Sequence, residues 1–145
     1  WAATHLRLGL VAASAPICGM TDLVIDYETT RPDLRAYSAE MMGGTPAQVP
    51  EQFAQRSPIN FVENIRGKLL IIQGGQDPNV TPQNVETVVK SLNQHGIPFE
   101  LLNFENEGHG IYKVENQRTL FLRLVNFFEE AFLDTNSDAG LAHEI

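Results

Sequence analysis

The strongest hydrophobic pattern in the chain is a run of four consecutive apolar residues, 69–72, followed shortly by the glycines Gly74 and Gly75. The run is too short for a helix and too uniformly apolar for a strand with one face in water, so it predicts a strand covered on both faces. Such strands are typical of parallel sheets with helices on both sides. The two glycines allow a turn that delivers Asp77 just beyond the carboxyl end of the strand.

A second apolar run, residues 99–104, predicts the next strand. Between the two runs, Val85, Val88 and Leu92 recur at helical spacing until Gly96 ends the pattern. The order strand, helix, strand is that of a crossover unit between parallel strands. The pattern therefore predicts an α/β fold of three layers, in which a mostly parallel sheet lies between helices.

The second predicted strand ends in the polar loop ENEGHG, which places His109 between two glycines. Because the carboxyl ends of parallel strands meet at one edge of the sheet, where such proteins bind ligands, Asp77 and His109 should converge there. Alone, Asp77 is more simply explained as a turn former, and a single histidine is as ambiguous. Together the two residues fit the acid and base of a catalytic triad, in which the carboxylate fixes the imidazole tautomer and the imidazole takes the nucleophile's proton.

The other segments carry weaker or broader patterns. Residues 8–15 form a short apolar run that predicts a first buried strand, ended by Pro16. Short helices are predicted within residues 22–27, 34–42 and 46–55, residues 1–5 suggest the tail of a helix, and residues 134–145 suggest a frayed tail. A longer helix is predicted over about residues 115–132, with an inward stripe made of Leu120, Phe121, Leu124, Val125, Phe128 and Phe132.

Length and composition limit the class of protein. The chain has 145 residues, of which 43% are hydrophobic, and it neither begins with Met nor opens at the start of a pattern, so we interpret residues 1–145 as a single but partial α/β domain. A formal charge of −8 without a Lys/Arg cluster argues against nucleic acid or an anionic membrane as a partner. The single cysteine, Cys18, suits a reducing compartment, from which we expect a cytoplasmic protein. No Cys/His cluster has zinc spacing, and we expect no metal or organic cofactor.

Three short motifs stand out: Ser57-Pro58 before the first strong strand, Gly-x-x-Asp-x-x-Val over residues 74–80, and Gly-His-Gly over residues 108–110. They resemble motifs of the prolyl oligopeptidase family of serine peptidases, in the C-terminal part of its catalytic domain. The resemblance covers most of the chain. It implies an α/β-hydrolase fold and hydrolysis of short peptides by acyl transfer, with Asp77 and His109 as catalytic residues.

The pattern Gly-x-Ser-x-Gly of a nucleophile elbow does not occur in the sequence. Ser14 has Ala and Pro where the elbow needs glycine, and Cys18 lacks the preceding glycine and a helix that starts directly after it, so we assign packing roles to both. We therefore expect the nucleophile to lie in a missing N-terminal part of the same domain, and these residues alone to be inactive. A fragment of an esterase or dienelactone hydrolase-like enzyme remains an alternative, as does a non-catalytic interaction module with the same fold.

The predicted first strand also carries an expectation about assembly. Residues 8–13, LGLVAA, would form an apolar edge of the sheet without Lys or Pro to discourage pairing. We therefore expect the chain to self-associate as a homodimer, either by antiparallel pairing of residues 8–13 with their copies or by exchange of the N-terminal helix.

Overall fold

The computed structural model describes residues 1–5 and 9–140, with the side chains of all of these except residues 134–140. The described strands are β1 (Ala13–Ser14), β2 (Lys68–Gly74) and β3 (Glu100–Phe104). The described α-helices are α1 (Leu23–Thr29), α2 (Pro32–Met42), α3 (Pro50–Arg56), α4 (Pro82–Gln94) and α5 (Val114–Gly140). Two 3₁₀ helices occupy Ala2–Thr4 and Pro58–Asn64.

The three strands form a parallel sheet in the order β1-β2-β3. β3 pairs with β2 from Leu70 opposite Glu100 to Gly74 opposite Phe104. Because β2 and β3 are parallel and α4 joins them, the predicted strand, helix, strand unit is confirmed.

The core lies on both faces of β2, as its uniformly apolar sequence predicted. Successive side chains of a strand point to opposite faces, and the four residues 69–72 are each at most 3% exposed. Burying a leucine or isoleucine side chain in this way contributes about 1.5–3 kcal/mol. On one face Leu69 and Ile71 pack with Val62, Ile65, Val85, Val88 and Leu92, and on the other Leu70 and Ile72 pack with Phe104, Ile111, Leu120 and Phe127.

The first strand is shorter than the sequence predicted. A strand was expected over residues 8–15, but β1 contains only Ala13–Ser14. Residues 9–12 form no strand, and residue 8 lies outside the described residues. The prediction of a strand edge over residues 8–13 is therefore wrong for residues 9–12.

Pro16 does not end the pairing with β2, contrary to expectation. Its carbonyl accepts a hydrogen bond from the amide of Ile72, and the amide of Cys18 donates to the carbonyl of Ile72, each at 2.9 Å. Proline lacks only the N–H, so its carbonyl can still pair with a neighbouring strand.

Helix α5 is longer than predicted and buries a different face. It runs past the predicted end at residue 132 to Gly140, through the first part of the segment expected to fray, and residues 141–145 lie outside the described residues. Three members of the predicted stripe, Phe121, Val125 and Phe132, are exposed. Apolar residues occur around most of the circumference of this helix, so the sequence alone does not define which face is buried. Packing against the sheet determines the buried face. The inward residues are Leu120, Leu124, Phe127, Phe128 and Ala131.

Between β1 and β2 the chain forms the predicted excursion of short helices. Asp22 caps α1, since its Oδ1 accepts hydrogen bonds from the amides of Val24 at 2.9 Å and Ile25 at 3.1 Å. Phe53 fixes α3 to the core with a side chain that is fully buried. In the described part of the chain, no helix is long and apolar enough to cross a membrane.

Candidate active site

Asp77 lies in the turn after β2, where backbone amides hold its side chain. Its Oδ1 accepts hydrogen bonds from the amides of Asn79 at 2.8 Å and Val80 at 3.1 Å. The side chain is fully buried. Aspartate favours turns because its carboxylate can accept from the amides that follow it. The turn uses one oxygen of Asp77 and leaves the other for a second partner.

That second partner is His109. Its Nδ1 donates a hydrogen bond to Asp77 Oδ2 at 2.9 Å, and the imidazole is 45% exposed. A proton on Nδ1 leaves Nε2 as the basic nitrogen that a reacting group could meet. The structure thus brings together the two residues that the sequence singled out. Their catalytic role stays a prediction.

The loops that carry the pair are joined by their backbones. The amide of Gly75 donates to the carbonyl of Phe104, and the amide of Gln76 donates to the carbonyl of Glu107, each at 2.8 Å. Gly74 approaches the second loop so closely that a Cβ at this position would lie 2.0 Å from the carbonyl oxygen of Gly108. The two loops therefore form one rigid edge of the sheet.

Glu107 anchors the loop on the far side of His109, and the sequence analysis missed it. Its carboxylate accepts hydrogen bonds from the amides of Tyr112 at 3.2 Å and Lys113 at 2.8 Å, and from Asn116 Nδ2 at 2.8 Å. Desolvation would raise the pKa of Glu107, but these hydrogen bonds outweigh it and hold the pKa below its ordinary value. Its position directly before the Gly-His-Gly motif was the only signal in the sequence.

Cys18 lies beside the pair, although its sequence position is far from both residues. Its Sγ is 3.9 Å from the carbonyl oxygen of Gly108, and potential ligand atoms of Cys18, Asp77 and His109 all lie within 4.8 Å of one another. Burial raises the pKa of the thiol, which keeps it protonated and weakly nucleophilic. Three separate segments bring these residues together, so the proximity of Cys18 to the pair could not be predicted from local sequence.

The structure does not bring Ser14 to the pair. Ser14 lies opposite Leu69 near the start of β2, whereas Asp77 follows the other end of that strand. From Leu69 to Gly74 the strand extends about 16 Å at its usual rise per residue. Ser14 therefore occupies the wrong end of the sheet for a nucleophile.

A cavity of about 570 Å³ opens beside His109. This volume lies within the range of sites that hold small ligands or substrate side chains. Residues from α1, α2 and the turn after β2 form its walls. The apolar residues of the wall include Leu23, Leu34, Tyr37, Met41, Met42 and Val80.

Asp26, on α1, contributes a carboxyl group to this cavity, and the sequence analysis missed it. The residue is 6% exposed, and the hydrogen bond described for its side chain is a long one, 3.5 Å from Asn84 Nδ2 to Oδ1. Burial raises the pKa of Asp26 to about 6. The only sequence signal was an acid placed directly after three apolar residues, 23–25, in a weakly patterned helix.

A parallel sheet between helices, with a carboxylate after one strand bonded to an imidazole after the next, is typical of the α/β-hydrolases. Comparison with known proteins defines the family more closely. Residues 9–135 match the model of the prolyl oligopeptidase family, and the chain belongs to that family. The resemblance seen in the sequence is thereby confirmed.

Relatives and structural neighbours of the chain are peptidases. It is 34% identical over 116 residues to the uncharacterized peptidase YtmA of Bacillus subtilis, covering 79% of this chain and 45% of that protein. It is 34% identical over 79 residues to dipeptidyl aminopeptidase BIII of Pseudoxanthomonas mexicana, covering 54% and 11% of the two chains. A puromycin-hydrolyzing peptidase of Mycobacterium tuberculosis has a similar structure, with a TM-score of 0.80 and 24% identity over 86% of this chain and 19% of that one. The chain thus spans less than half the length of these proteins.

Proposed function

We propose that these residues form the acid and base part of the active site of a serine peptidase that cleaves short peptides by acyl transfer. The observation that carries the proposal is the 2.9 Å hydrogen bond from His109 Nδ1 to the buried carboxylate of Asp77. His109 Nε2 takes the proton of a serine hydroxyl as its oxygen attacks the peptide carbonyl, and then gives that proton to the leaving amine. Asp77 holds the tautomer and stabilises the imidazolium. Water then attacks the acyl-enzyme with His109 again as the base.

The serine and the donors of the oxyanion hole belong, in this proposal, to parts of the same protein outside residues 1–145. The positions of Ser14 and Cys18 support this, because Ser14 lies at the far end of β2 and Cys18 is a buried, protonated thiol. The 145 residues alone should then be inactive, since the members of a triad act as a unit. Location in the cytoplasm also stays a prediction, supported by the unpaired thiol of Cys18.

The substitution Asp77→Asn tests the proposal in the natural protein that contains these residues. Asparagine keeps the shape of the side chain but presents an amide, so His109 loses the partner that fixes its productive tautomer. We expect the fold to remain and kcat for a peptide substrate to fall by roughly 10⁴-fold. Circular dichroism reports the fold, and kcat is measured on a peptide and an ester with the same acyl group.

Asp33→Asn is the matched control, because Asp33 on α2 is an exposed acid with a 66% exposed side chain. This variant should keep normal kcat. Near-normal peptide hydrolysis by Asp77→Asn would mean that another carboxylate is the acid. Turnover of the ester without turnover of the peptide would favour the esterase alternative instead.

A further inference from the structure

The cavity beside His109 contains polar groups that the described protein atoms leave unsatisfied. Thr30 Oγ1 and Asn79 Oδ1 are buried and have no hydrogen-bond partner among the described residues. The carboxylate of Asp26 has the single long contact from Asn84 Nδ2. All three of these residues line the same cavity. Buried polar groups are normally paired, so two oxygens without a partner and a carboxylate with one long contact around the same cavity indicate that a donor is missing there.

Asn84 gives the buried carboxylate of Asp26 only weak hydrogen bonding. Its Oδ1 lies 3.3 Å from the amide of Thr21 and 3.4 Å from the amide of Asp22, and these donors orient Nδ2 towards Asp26. The resulting contact with Asp26 is 3.5 Å long. Asp77, by contrast, accepts three hydrogen bonds of 2.8, 2.9 and 3.1 Å. The two buried carboxylates therefore differ: the hydrogen-bonding capacity of Asp77 is satisfied within the described residues, whereas that of Asp26 is largely unused.

The groups that face Asp26 supply little positive charge. Besides Asp26, the titratable side chains that line the cavity are those of Cys18, Tyr37 and His109, and of these only the imidazole can carry a positive charge. Burial is the largest influence on the pKa of Asp26 and raises it. The hydrogen bond from Asn84 lowers the pKa, the charge of Asp77 raises it and that of His109 lowers it, and the resulting pKa is about 6. Asp26 is therefore mostly ionised at neutral pH, in an apolar cavity without a resident cation among the described residues.

We propose that this cavity binds a cationic side chain of the substrate, arginine or lysine, and that Asp26 determines this specificity. The proposal rests on the proposed function, because it places the bound side chain next to His109 and hence next to the bond that is cleaved. Lysine and arginine combine an apolar stem with a charged head, which matches a cavity with apolar walls and one carboxylate. A guanidinium or ammonium only donates hydrogen bonds, and the carboxylate of Asp26 offers acceptor oxygens that receive one long contact from the described protein atoms.

The test compares two substrates in the natural protein. One carries arginine at the residue whose carbonyl is attacked, and the other carries citrulline, which has a similar shape but a neutral urea in place of the guanidinium. We expect kcat/KM for arginine to exceed that for citrulline at least about thirtyfold. Asp26→Asn should lower this ratio at least tenfold, whereas the surface variant Asp33→Asn should leave the ratio unchanged.

The pH dependence of the ratio adds a readout that needs no variant. Protonation of Asp26 should reduce the arginine to citrulline ratio as the pH falls through about 6. The chemical step at the cleaved bond is common to both substrates, so its own pH dependence cancels in the ratio. A ratio near one in the natural protein, or a ratio that does not change between neutral and acid pH, would overturn the assignment of Asp26.

Binding of propylguanidinium, measured by calorimetry against neutral propylurea, separates this proposal from the proposed function. A protein that cleaves no peptide but binds propylguanidinium, with the affinity lost in Asp26→Asn, would support the cation site and overturn the peptidase function. A protein that cleaves peptides but binds propylguanidinium no better than propylurea would overturn the cation site and leave the peptidase function in place.

Discussion

At the scale of single residues, Gly74 permits the close approach of the loops that carry Asp77 and His109. It is the last residue of β2, and its backbone lies against the loop that carries His109. A Cβ at this position would lie 2.0 Å from the carbonyl oxygen of Gly108 and 2.8 Å from that of Glu107, both backbone atoms that cannot move independently. The sequence suggested that Gly74 serves the turn, and the structure shows that it also permits this close approach.

The substitution Gly74→Ala should therefore displace the His109 loop. We expect the free energy of unfolding to fall by about 1–3 kcal/mol, the usual cost of forcing an extra methyl group into a packed site. The hydrogen bond between His109 and Asp77 should lengthen, and kcat of the natural protein should fall with it. Urea unfolding and kcat are the two measurements.

Gly108→Ala is the control for this experiment, because the nearest atom to a Cβ at that position is the carbonyl oxygen of Gln76 at 3.9 Å. This neighbouring glycine should tolerate the methyl group with little change in stability. Equal destabilisation by the two substitutions would show that the close approach at Gly74 is not what holds the loops together.

The proximity of Asp77 and His109 could be predicted because local sequence defines the position of each residue. Asp77 and His109 follow strong strand patterns and stand in glycine-rich turns, so their positions at one sheet edge follow from the rules of parallel sheets. Asp26 could not be predicted in this way. Its role depends on where α1 packs relative to the sheet edge, and on Thr30 and Asn79 facing the same space. These are long-range relations that no local pattern encodes.

At the scale of elements, the loop between β3 and α5 is held by Glu107. The carboxylate binds the amides of Tyr112 and Lys113, just before α5 begins at Val114, and it also binds Asn116 within that helix. His109 lies between this anchor and the backbone contacts to the Asp77 turn. His109 is therefore positioned from both sides of its loop.

The substitution Glu107→Gln should weaken the contacts that hold the His109 loop to the start of α5. Glutamine replaces one acceptor oxygen by an NH₂ group, which faces amide donors that it cannot satisfy. We expect kcat of the natural protein to fall by roughly ten- to hundredfold through misplacement of His109. Glu105→Gln, at an exposed position in the same loop, should have little effect and serves as the control.

The pH dependence of stability checks the same residue. The pKa of Glu107 in the folded chain lies below its ordinary value of 4.5, so its contribution is present above that pH and is lost as the pH falls through the lower, folded value. Glu107→Gln should remove this acid-side loss of unfolding free energy. An unchanged acid profile would mean that other carboxylates dominate it.

Elements with one dominant pattern were predicted closely, and elements with an ambiguous pattern were not. β2, α4 and β3 lie within a residue or two of their expected bounds, because each has a clear apolar period and a glycine or proline at its ends. β1 is shorter than predicted, and only Leu120, Leu124 and Phe128 of the stripe predicted for α5 face the core. A short apolar run does not show where pairing starts, and a helix that is apolar around most of its circumference does not show which face is buried.

At the scale of the whole molecule, the described residues leave one sheet edge and one apolar helix face uncovered. β1 is the outer strand of the described sheet, with only Ala13–Ser14 in strand conformation. The outer side of α5 offers more apolar surface, since its exposed large residues are Phe121, Leu122, Val125, Phe132 and Leu133, each at least 54% exposed. Contiguous apolar patches of this kind usually mark a surface that another chain or domain covers.

The isolated 145-residue chain should therefore self-associate, and α5 rather than the N-terminal edge should carry the contact. A two-residue strand offers few backbone groups for pairing, whereas Phe121 and Val125 lie one turn apart on an open helical face. Sedimentation equilibrium should show a dimer for the unmodified chain and for Ala12→Lys, and a monomer for Phe121→Glu. If Ala12→Lys alone abolishes the dimer, the edge at β1 carries the contact, as the sequence first suggested. An unmodified chain that stays monomeric at high micromolar concentration would contradict both.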